Sequence, residues 1–261
     1  MIMAFPHRLT AILAFAAVSA APLGAQAAIP ATFELTPGAR PFAPGEKLTY
    51  AVKVGPLGKG TAIAEIIGVD TVRGKRVYHS VFRINGSLLF FKVKDYYESW
   101  FDPNTLVSLR YKQDIDQGTY ERNRSYEIFP GEHYIDGNKQ EFKTVDQPLD
   151  DGAFLYFLRT IPLEVGKTYT WNRYFKPDRN PVTVTVVRRE RIRVPAGEFD
   201  AIVLAPKIKA KGIFAEGANA EVWIADDETR MMLMMKTKLP FGSVQFQLRS
   251  REIVKESIAN R

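Results

Sequence analysis

The amino-acid sequence predicts an all-β fold: one large, strongly curved antiparallel sheet, an open barrel or spiral, with one helix against its concave side. After an N-terminal leader, about a dozen segments alternate in polarity with the period of β-strands, and turn residues separate them at short intervals. Only one later segment has helical periodicity. An apolar helix in a β-rich chain needs a concave sheet to cover it, and a two-sheet sandwich is the alternative.

The helical signal lies within residues 145–171. Asp150 and Asp151 suit the N-cap and first turn of a helix, because their carboxylates accept hydrogen bonds from free backbone N–H groups. The apolar residues that follow recur at helical spacing, and Pro162 is expected to stop the helix. These apolar residues are Phe154, Leu155, Phe157, Leu158 and Ile161.

Residues 1–27 have the pattern of a cleavable signal peptide, which leaves residues 28–261 as a single β-rich periplasmic domain. A short polar stretch precedes an apolar run, and Ala25 and Ala27 supply the small residues that a signal peptidase requires. The apolar run is shorter than the roughly 20 residues of a membrane span, so an uncleaved anchor is the less favoured alternative. Cleavage leaves roughly 230 residues, a length at which all-β chains often form one domain.

Turn residues mark the strands in chain order. Pro44-Gly45 opens the first strand, the small residues at 60–64 favour a curved sheet, and Asn85-Gly86 and Asp136-Gly137 predict hairpins. After the helix, the segment 165–171 repeats the order of residue types at 44–50, which is a weak signal of two related halves. Short connections then join further strands up to residue 254, and no linker divides the chain.

Composition excludes several classes of chemistry. The chain has no cysteine, so disulfides, thiol catalysis and cysteine-bound metal are excluded. The formal net charge is +7. In an exported protein this charge favours contact with anionic lipids or glycans over nucleic acid, and simple solubility is the alternative explanation.

Enzyme signatures are mostly missing, and we expect no enzymatic activity and no cofactor or metal. His79 and His133, the two histidines of the predicted domain, fall in different segments. No nucleophile elbow, zinc motif or phosphate-binding loop accompanies them. The acidic run 226–228 has a sufficient explanation as a hairpin turn, and no further oxygen ligands are spaced to hold a cation with it.

Six cations are predicted to share one face of a hairpin. The two-residue period of a strand places three arginines on one face before the turn at 195–198 and three lysines on one face after it. They are Arg189, Arg191, Arg193, Lys207, Lys209 and Lys211. One interpretation is a solvated edge that resists aggregation, and the other is contact with phosphates of an anionic membrane surface.

A run of methionines predicts either a ligand cavity or a solid core. Residues 231–235 are too uniformly apolar for a strand with one wet face, and methionine adapts to apolar ligands of varying shape. The helix and this strand would line a cavity for acyl chains, or they would fill each other's core. The candidate lining residues are Phe154, Leu155, Phe157, Leu158, Met231, Met232, Met234 and Met235. Residues 88–91 form either a mobile lip or a buried strand entry.

Four segments, taken together and in order, resemble one family. They read PFAPGEKLTYAV, DDGAFLYFLRTIPLEVGKTY, VPAGEFDAIVLAPKI and AEVWIADDETRMMLMMKTKLPFGSV. The family is the exported bacterial one called domain of unknown function 3108. The resemblance implies an envelope protein without established enzymatic activity, and it supplies no catalytic residues.

These observations favour a non-enzymatic periplasmic protein of envelope maintenance that binds an amphiphile, either a lipid or a lipid-linked molecule. The alternative is a protein-interaction factor that docks on an envelope complex through its basic strand face. An unrecognised hydrolase is a remote third hypothesis, and it would need a polar cluster around one of the two histidines.

Overall fold

A computed structural model describes residues 27–28, 40–88, 91–118, 120–209, 219–239 and 242–254. Within these residues the fold is a single large sheet that does not close into a barrel, with one α-helix on its concave side. The predicted all-β class and open curved sheet are therefore confirmed, and the sandwich alternative is not adopted. The described residues contain no helix that is long and apolar enough to cross a bilayer.

The elements follow one another along the chain with short connections. The strands and helices are β1 (Ala27–Ala28), β2 (Glu46–Val54), β3 (Gly58–Val72), β4 (Lys75–Leu88), β5 (Phe91–Phe101), β6 (Ser108–Gln117), β7 (Tyr120–Phe129), β8 (His133–Asp136), β9 (Glu141–Lys143), α1 (Asp151–Phe157), β10 (Thr168–Trp171), the 3-10 helix η1 (Pro177–Arg179), β11 (Val182–Val194), β12 (Gly197–Lys207), β13 (Glu221–Ala225), β14 (Met232–Leu239) and β15 (Gly242–Ile253).

Two antiparallel meanders make up the sheet. Strands β2 to β9 pair in chain order, and so do β10 to β15. The meanders join through β15 and β2, while β1 pairs in parallel with β10 at one edge and β9 forms the other edge. The segment that connects the two meanders carries α1 across the concave side, and Leu149 forms a bridge with Tyr174 on the way.

Asn85 and Gly86 do not form the predicted hairpin. Both lie inside β4, and Gly86 pairs with Gly60 of β3. A Cβ at Gly60 would lie 2.6 Å from the carbonyl oxygen of Asn85, so the two backbones approach too closely for a side chain. The glycine therefore serves strand contact rather than a turn. The predicted hairpin at Asp136-Gly137 is present, between β8 and β9.

The helix begins as predicted and ends earlier than predicted. Asp150 is the N-cap, and its side chain accepts hydrogen bonds from the backbone N–H groups of Gly152 and Ala153. The helix stops at Phe157 rather than at Pro162. The hydroxyl of Thr160 donates to the carbonyl of Phe157, and the backbone tightens there into three-residue turns.

A buried ion pair fixes the end of the helix. Arg159 and Glu46 are both 2% exposed, and their closest nitrogen and oxygen atoms are 2.5 Å apart. Arg159 also donates to the carbonyls of Pro41, Thr229 and Arg230. Its guanidinium thus connects the helix end to the start of β2 and to the turn before β14. Neither residue stood out in the sequence.

One core spans both meanders and the helix. Phe154, Phe157 and Leu158 are at most 1% exposed, and they pack in the same cluster as Leu233 and Met235. A smaller cluster lies on the opposite face of the sheet around Trp100.

The two turns that resemble each other in sequence also match in structure. Gly45 and Gly166 both have φ of 85°. Their N–H groups donate to the carbonyls of Ile66 and Val186, each of which lies at a β-bulge. The two meanders therefore begin in the same way.

We expect Gly166→Ala to lower the free energy of unfolding by about 1–2 kcal/mol, the cost of a left-handed conformation with a side chain. Gly45→Ala should cost more, because its Cβ would also lie 2.1 Å from the carbonyl oxygen of Val254, whereas nothing lies within 4 Å at Gly166. Urea unfolding of the two variants checks this order, and equal losses would contradict it.

Arg159→Met should lower the free energy of unfolding by about 3–5 kcal/mol, because it leaves Glu46 buried with a single remaining cation, Arg251. Arg193→Met is the matched control: Arg193 pairs with Glu198 but is 82% exposed, so its loss should be at most about 1 kcal/mol. Urea unfolding of both variants decides, and similar losses would show that burial of the pair does not matter.

Candidate functional site

The predicted cavity residues lie in a packed core. Among the methionines, Met231, Met232 and Met235 are buried, whereas Met234 is half-buried and contacts Gln247. Leu155 is also half-buried against the core. The space beside Phe154 and Phe157 has no room for a water molecule. The helix is thus a filled plug in this structure, and the ligand cavity at these residues stays a prediction.

The structure separates the three predicted arginines from Lys207. The register of β11 and β12 places Arg191 opposite Asp200 and Arg193 opposite Glu198, whereas Lys207 pairs with Thr183 at the far end of the hairpin. The arginines therefore meet carboxylates: Arg189 lies 2.9 Å from Asp226, and Arg191 lies 3.4 Å from Glu198. Lys209 follows β12 as an exposed residue, and Lys211 lies outside the described residues. The predicted shared face was wrong for the three arginines and Lys207, because the turn sets a register that separates them.

The two histidines lie far apart on the sheet. The Nε2 atom of His79 is 3.0 Å from Glu98, and its ring stacks on Trp100. The Nδ1 atom of His133 is 3.5 Å from Glu141. Among the described residues, neither histidine has a hydroxyl partner that could serve as a nucleophile. Desolvation lowers the pKa of His79.

The predicted leader, apart from Ala27, and the side chains of residues 88–91 lie outside the described part of the chain.

A different group of residues faces the concave side beyond the helix. Directly opposed residues of an antiparallel pair point to the same face, so the register of β4 to β7 defines rows across the sheet. Ser99 donates to Asp150 at 2.6 Å, which identifies its row as the one under the helix. Three further rows follow along the strands on the same face. They are Phe82–Tyr97–Gln113–Arg124, Ile84–Asp95–Ile115–Arg122 and Gly86–Val93–Gln117–Tyr120.

The apolar residues of these rows remain partly open. Phe82, Ile84, Val93 and Ile115 are half-buried, in contrast to the fully buried residues under the helix. The helix is only seven residues long and reaches β5 at Ser99. It therefore leaves this part of the concave face uncovered. We call the three rows the concave groove.

Charged and polar side chains lie beside these apolar residues. Asp95 is 5% exposed; its Oδ2 atom accepts from Gln117 at 2.7 Å, and its Oδ1 atom is buried without a hydrogen-bond partner among the described residues. Burial raises the pKa of Asp95 above its ordinary value. On β7, Arg124 lies in the first row beyond the helix and Arg122 lies in the second. The groove is therefore amphipathic.

A tyrosine network connects the groove to the helix. Asp151 accepts hydrogen bonds from the hydroxyls of Tyr111 and Tyr174 at 2.8 and 2.9 Å, and from Gln113 at 3.3 Å. Burial raises the pKa of both tyrosines well above its usual value, so they stay protonated and donate. The inner wall of the groove and the first turn of the helix are held as one unit.

Sequence reasoning missed the groove. Its residues come from four strands. Each of these strands shows the ordinary alternation of a half-exposed strand, so none stands out in the sequence. Gln113 and Gln117 on β6 and Arg122 and Arg124 on β7 look like ordinary polar positions of two strands, so no local signal identifies them as one site.

The fold defines the class of this protein: it is all-β, with an open, barrel-like sheet and a helix on the concave side of that sheet. A beta-barrel-like protein of domain of unknown function DUF1849 from Brucella abortus has a similar solved structure, with a TM-score of 0.54. The two chains are 11% identical, and the match covers 80% of this chain and 98% of that one. At this identity the likeness shows the fold alone.

The chain belongs to the family described as Protein of unknown function (DUF3108), whose model matches residues 49–249. The resemblance found in the sequence is thereby confirmed. A hypothetical protein from Chlamydia trachomatis is also similar, with a TM-score of 0.34, 8% identity and coverage of 82% of this chain and 90% of that one. That score is too low to support an argument. No curated protein matches the chain.

Asp150 makes stability depend on pH. Burial raises the pKa of this carboxyl from 3.8 to about 7, despite its hydrogen bonds. The folded protein therefore binds the proton more tightly than the unfolded chain does. The free energy of unfolding should fall as the pH rises from about 4 to about 7 and then level off.

Asp150→Asn should flatten this fall in the free energy of unfolding, whereas Asp178→Asn, at an exposed position, should leave it unchanged. Urea unfolding between pH 4 and 8 checks both, and an unchanged slope in Asp150→Asn would contradict the assignment.

Proposed function

We propose that this chain is a non-enzymatic, exported protein of the bacterial cell envelope that binds an amphiphile in the concave groove. The observation that carries the proposal is the groove itself: half-buried apolar side chains lie next to a buried carboxylate and two arginines on one concave face. An acyl chain fits the apolar part, and a polar head fits the charged part. The leader pattern supports export.

The site in this proposal differs from the one that the sequence suggested. In this proposal the helix and the methionines form the packed core beside the groove. The ligand contacts residues of β4 to β7 instead. A filled plug is consistent with this arrangement, because a rigid core holds the groove in shape without a ligand.

The alternative of docking through the basic strand face has less support. Arg189, Arg191 and Arg193 are already paired with carboxylates of the same protein. Their charge is therefore largely balanced, and the attraction to an anionic partner is weaker than six unpaired cations would supply.

Native mass spectrometry of the protein, purified from cells that express the full-length chain, tests the proposal. We expect a population that carries one lipid-sized ligand. Ile115→Ser should reduce this population and weaken rebinding about tenfold, because it removes apolar contact area from the groove. Val187→Ser is the control, since Val187 is a 37% exposed apolar residue on another strand.

Two outcomes would overturn the proposal. One is a mass that stays free of ligand, with no binding when lipid is added. The other is an equal loss of ligand in both variants, which would place the contact outside the groove.

A further inference from the structure

The buried carboxylate of Asp95 lacks a partner on one side. Gln117 satisfies the Oδ2 atom at 2.7 Å, and the Oδ1 atom has no hydrogen bond of normal geometry among the described residues, although the Tyr97 hydroxyl lies beside this carboxylate. A buried acceptor without a partner costs about as much as a lost hydrogen bond. Among the five such side-chain atoms in the described residues, the Oδ1 atom of Asp95 belongs to the one carboxylate. A hydrogen-bond donor brought by a ligand would remove this cost.

Two arginines on the same face also lack carboxylate partners. Arg124 is half-buried and Arg122 is exposed, and neither forms an ion pair with the described residues. The ring of Tyr120 lies 5.3 Å from the guanidinium of Arg122. Elsewhere on the sheet, arginines such as Arg73, Arg110 and Arg188 pair with glutamates. Other described arginines also lack a carboxylate partner, but two of them, Arg173 and Arg230, donate to backbone carbonyls instead.

The register sets the distance between these groups. Asp95, Ile115 and Arg122 lie side by side on three neighbouring strands. Two strand spacings separate Asp95 from Arg122, which is about 10 Å between their backbones. A polar head that contacts both groups must therefore cross the row position that Ile115 occupies between them.

We propose that the concave groove recognises a phosphodiester head that also carries a hydroxyl or ammonium group. Arg122 and Arg124 bind the phosphate, and the Oδ1 atom of Asp95 accepts a hydrogen bond from the donor. This assignment rests on the proposed function and specifies its ligand: a phospholipid with a glycerol-type or ethanolamine-type head.

The chemistry discriminates against other amphiphiles. Guanidinium groups match phosphate oxygens in geometry and charge. A fatty acid, or a phosphodiester that ends in a methyl group, offers no donor and leaves Asp95 unpaired in the complex. Sites built around a hydrogen bond reject ligands that lack it, because the buried group then loses water without compensation.

Isothermal titration with short-chain lipids below their micelle concentration tests the assignment. The probes are dihexanoyl phosphatidylglycerol, dihexanoyl phosphatidylethanolamine, dihexanoyl phosphatidylmethanol and hexanoate. We expect the first two to bind at least about tenfold more tightly than the last two. Glycerophosphoglycerol, the head without acyl chains, should bind more weakly than the first lipid, which separates a lipid site from a site for the free head.

Variants assign the two halves of the site. Asp95→Leu should abolish the preference for heads with a donor, and Arg124→Gln should weaken all three phosphodiester lipids alike. Lys94→Gln is the control, because Lys94 is the neighbour of Asp95 on the same strand and points to the opposite face. If Asp95→Leu does not fold, as judged by circular dichroism, the comparison of the four probes on the unmodified protein decides alone.

The two levels of the proposal fail in different ways. If none of the lipids binds, the proposed function is wrong. If all four probes bind with equal affinity, the groove holds amphiphiles, and the assignment of Asp95 to the head is overturned.

Discussion

The buried contact between Glu46 and Arg159 is the constraint on which the arrangement of the chain depends. Its two residues lie at the start of β2 and just after α1, and Arg251 of β15 adds a second cation to Glu46. A buried charge of this kind contributes little net stability, but it penalises every arrangement in which a partner is missing. The helix end, the first strand of one meander and the last strand of the other can meet in only one way. The position of the helix on the sheet follows from it.

That position determines which part of the concave face is filled. The seven residues of α1 cover the row of Ser99 and Tyr111, where Asp150 and Asp151 find their hydrogen-bond donors. The rows beyond receive no cover from the helix. The division into a filled half and an amphipathic half is therefore a result of helix length and of one ion pair, with no dedicated lid among the described residues.

Patterns among neighbouring residues predicted the fold well. They did not predict contacts between residues that are far apart in the sequence. Alternation and turns identified the open sheet, and Asp150 identified the helix start, because both depend on neighbours in sequence. Asn85-Gly86 misled, since the choice between a turn and a strand depended on Gly60 of the adjacent strand. The basic face failed for the same reason, because register decides whether Arg191 meets Asp200 or a lysine. The groove and the Glu46–Arg159 pair were out of reach, as each joins residues whose proximity only the completed sheet creates.

The strand order has a consequence for how the protein is made. The first and last long strands, β2 and β15, pair in the middle of the sheet, and Lys47 bonds to Glu252 across 205 positions. The ribosome makes these two partner strands at opposite ends of synthesis. Each meander can form from local hairpins as it emerges, but the sheet becomes continuous only when β15 arrives. Until then β2 presents an unpaired edge, which chaperones or other chains can contact.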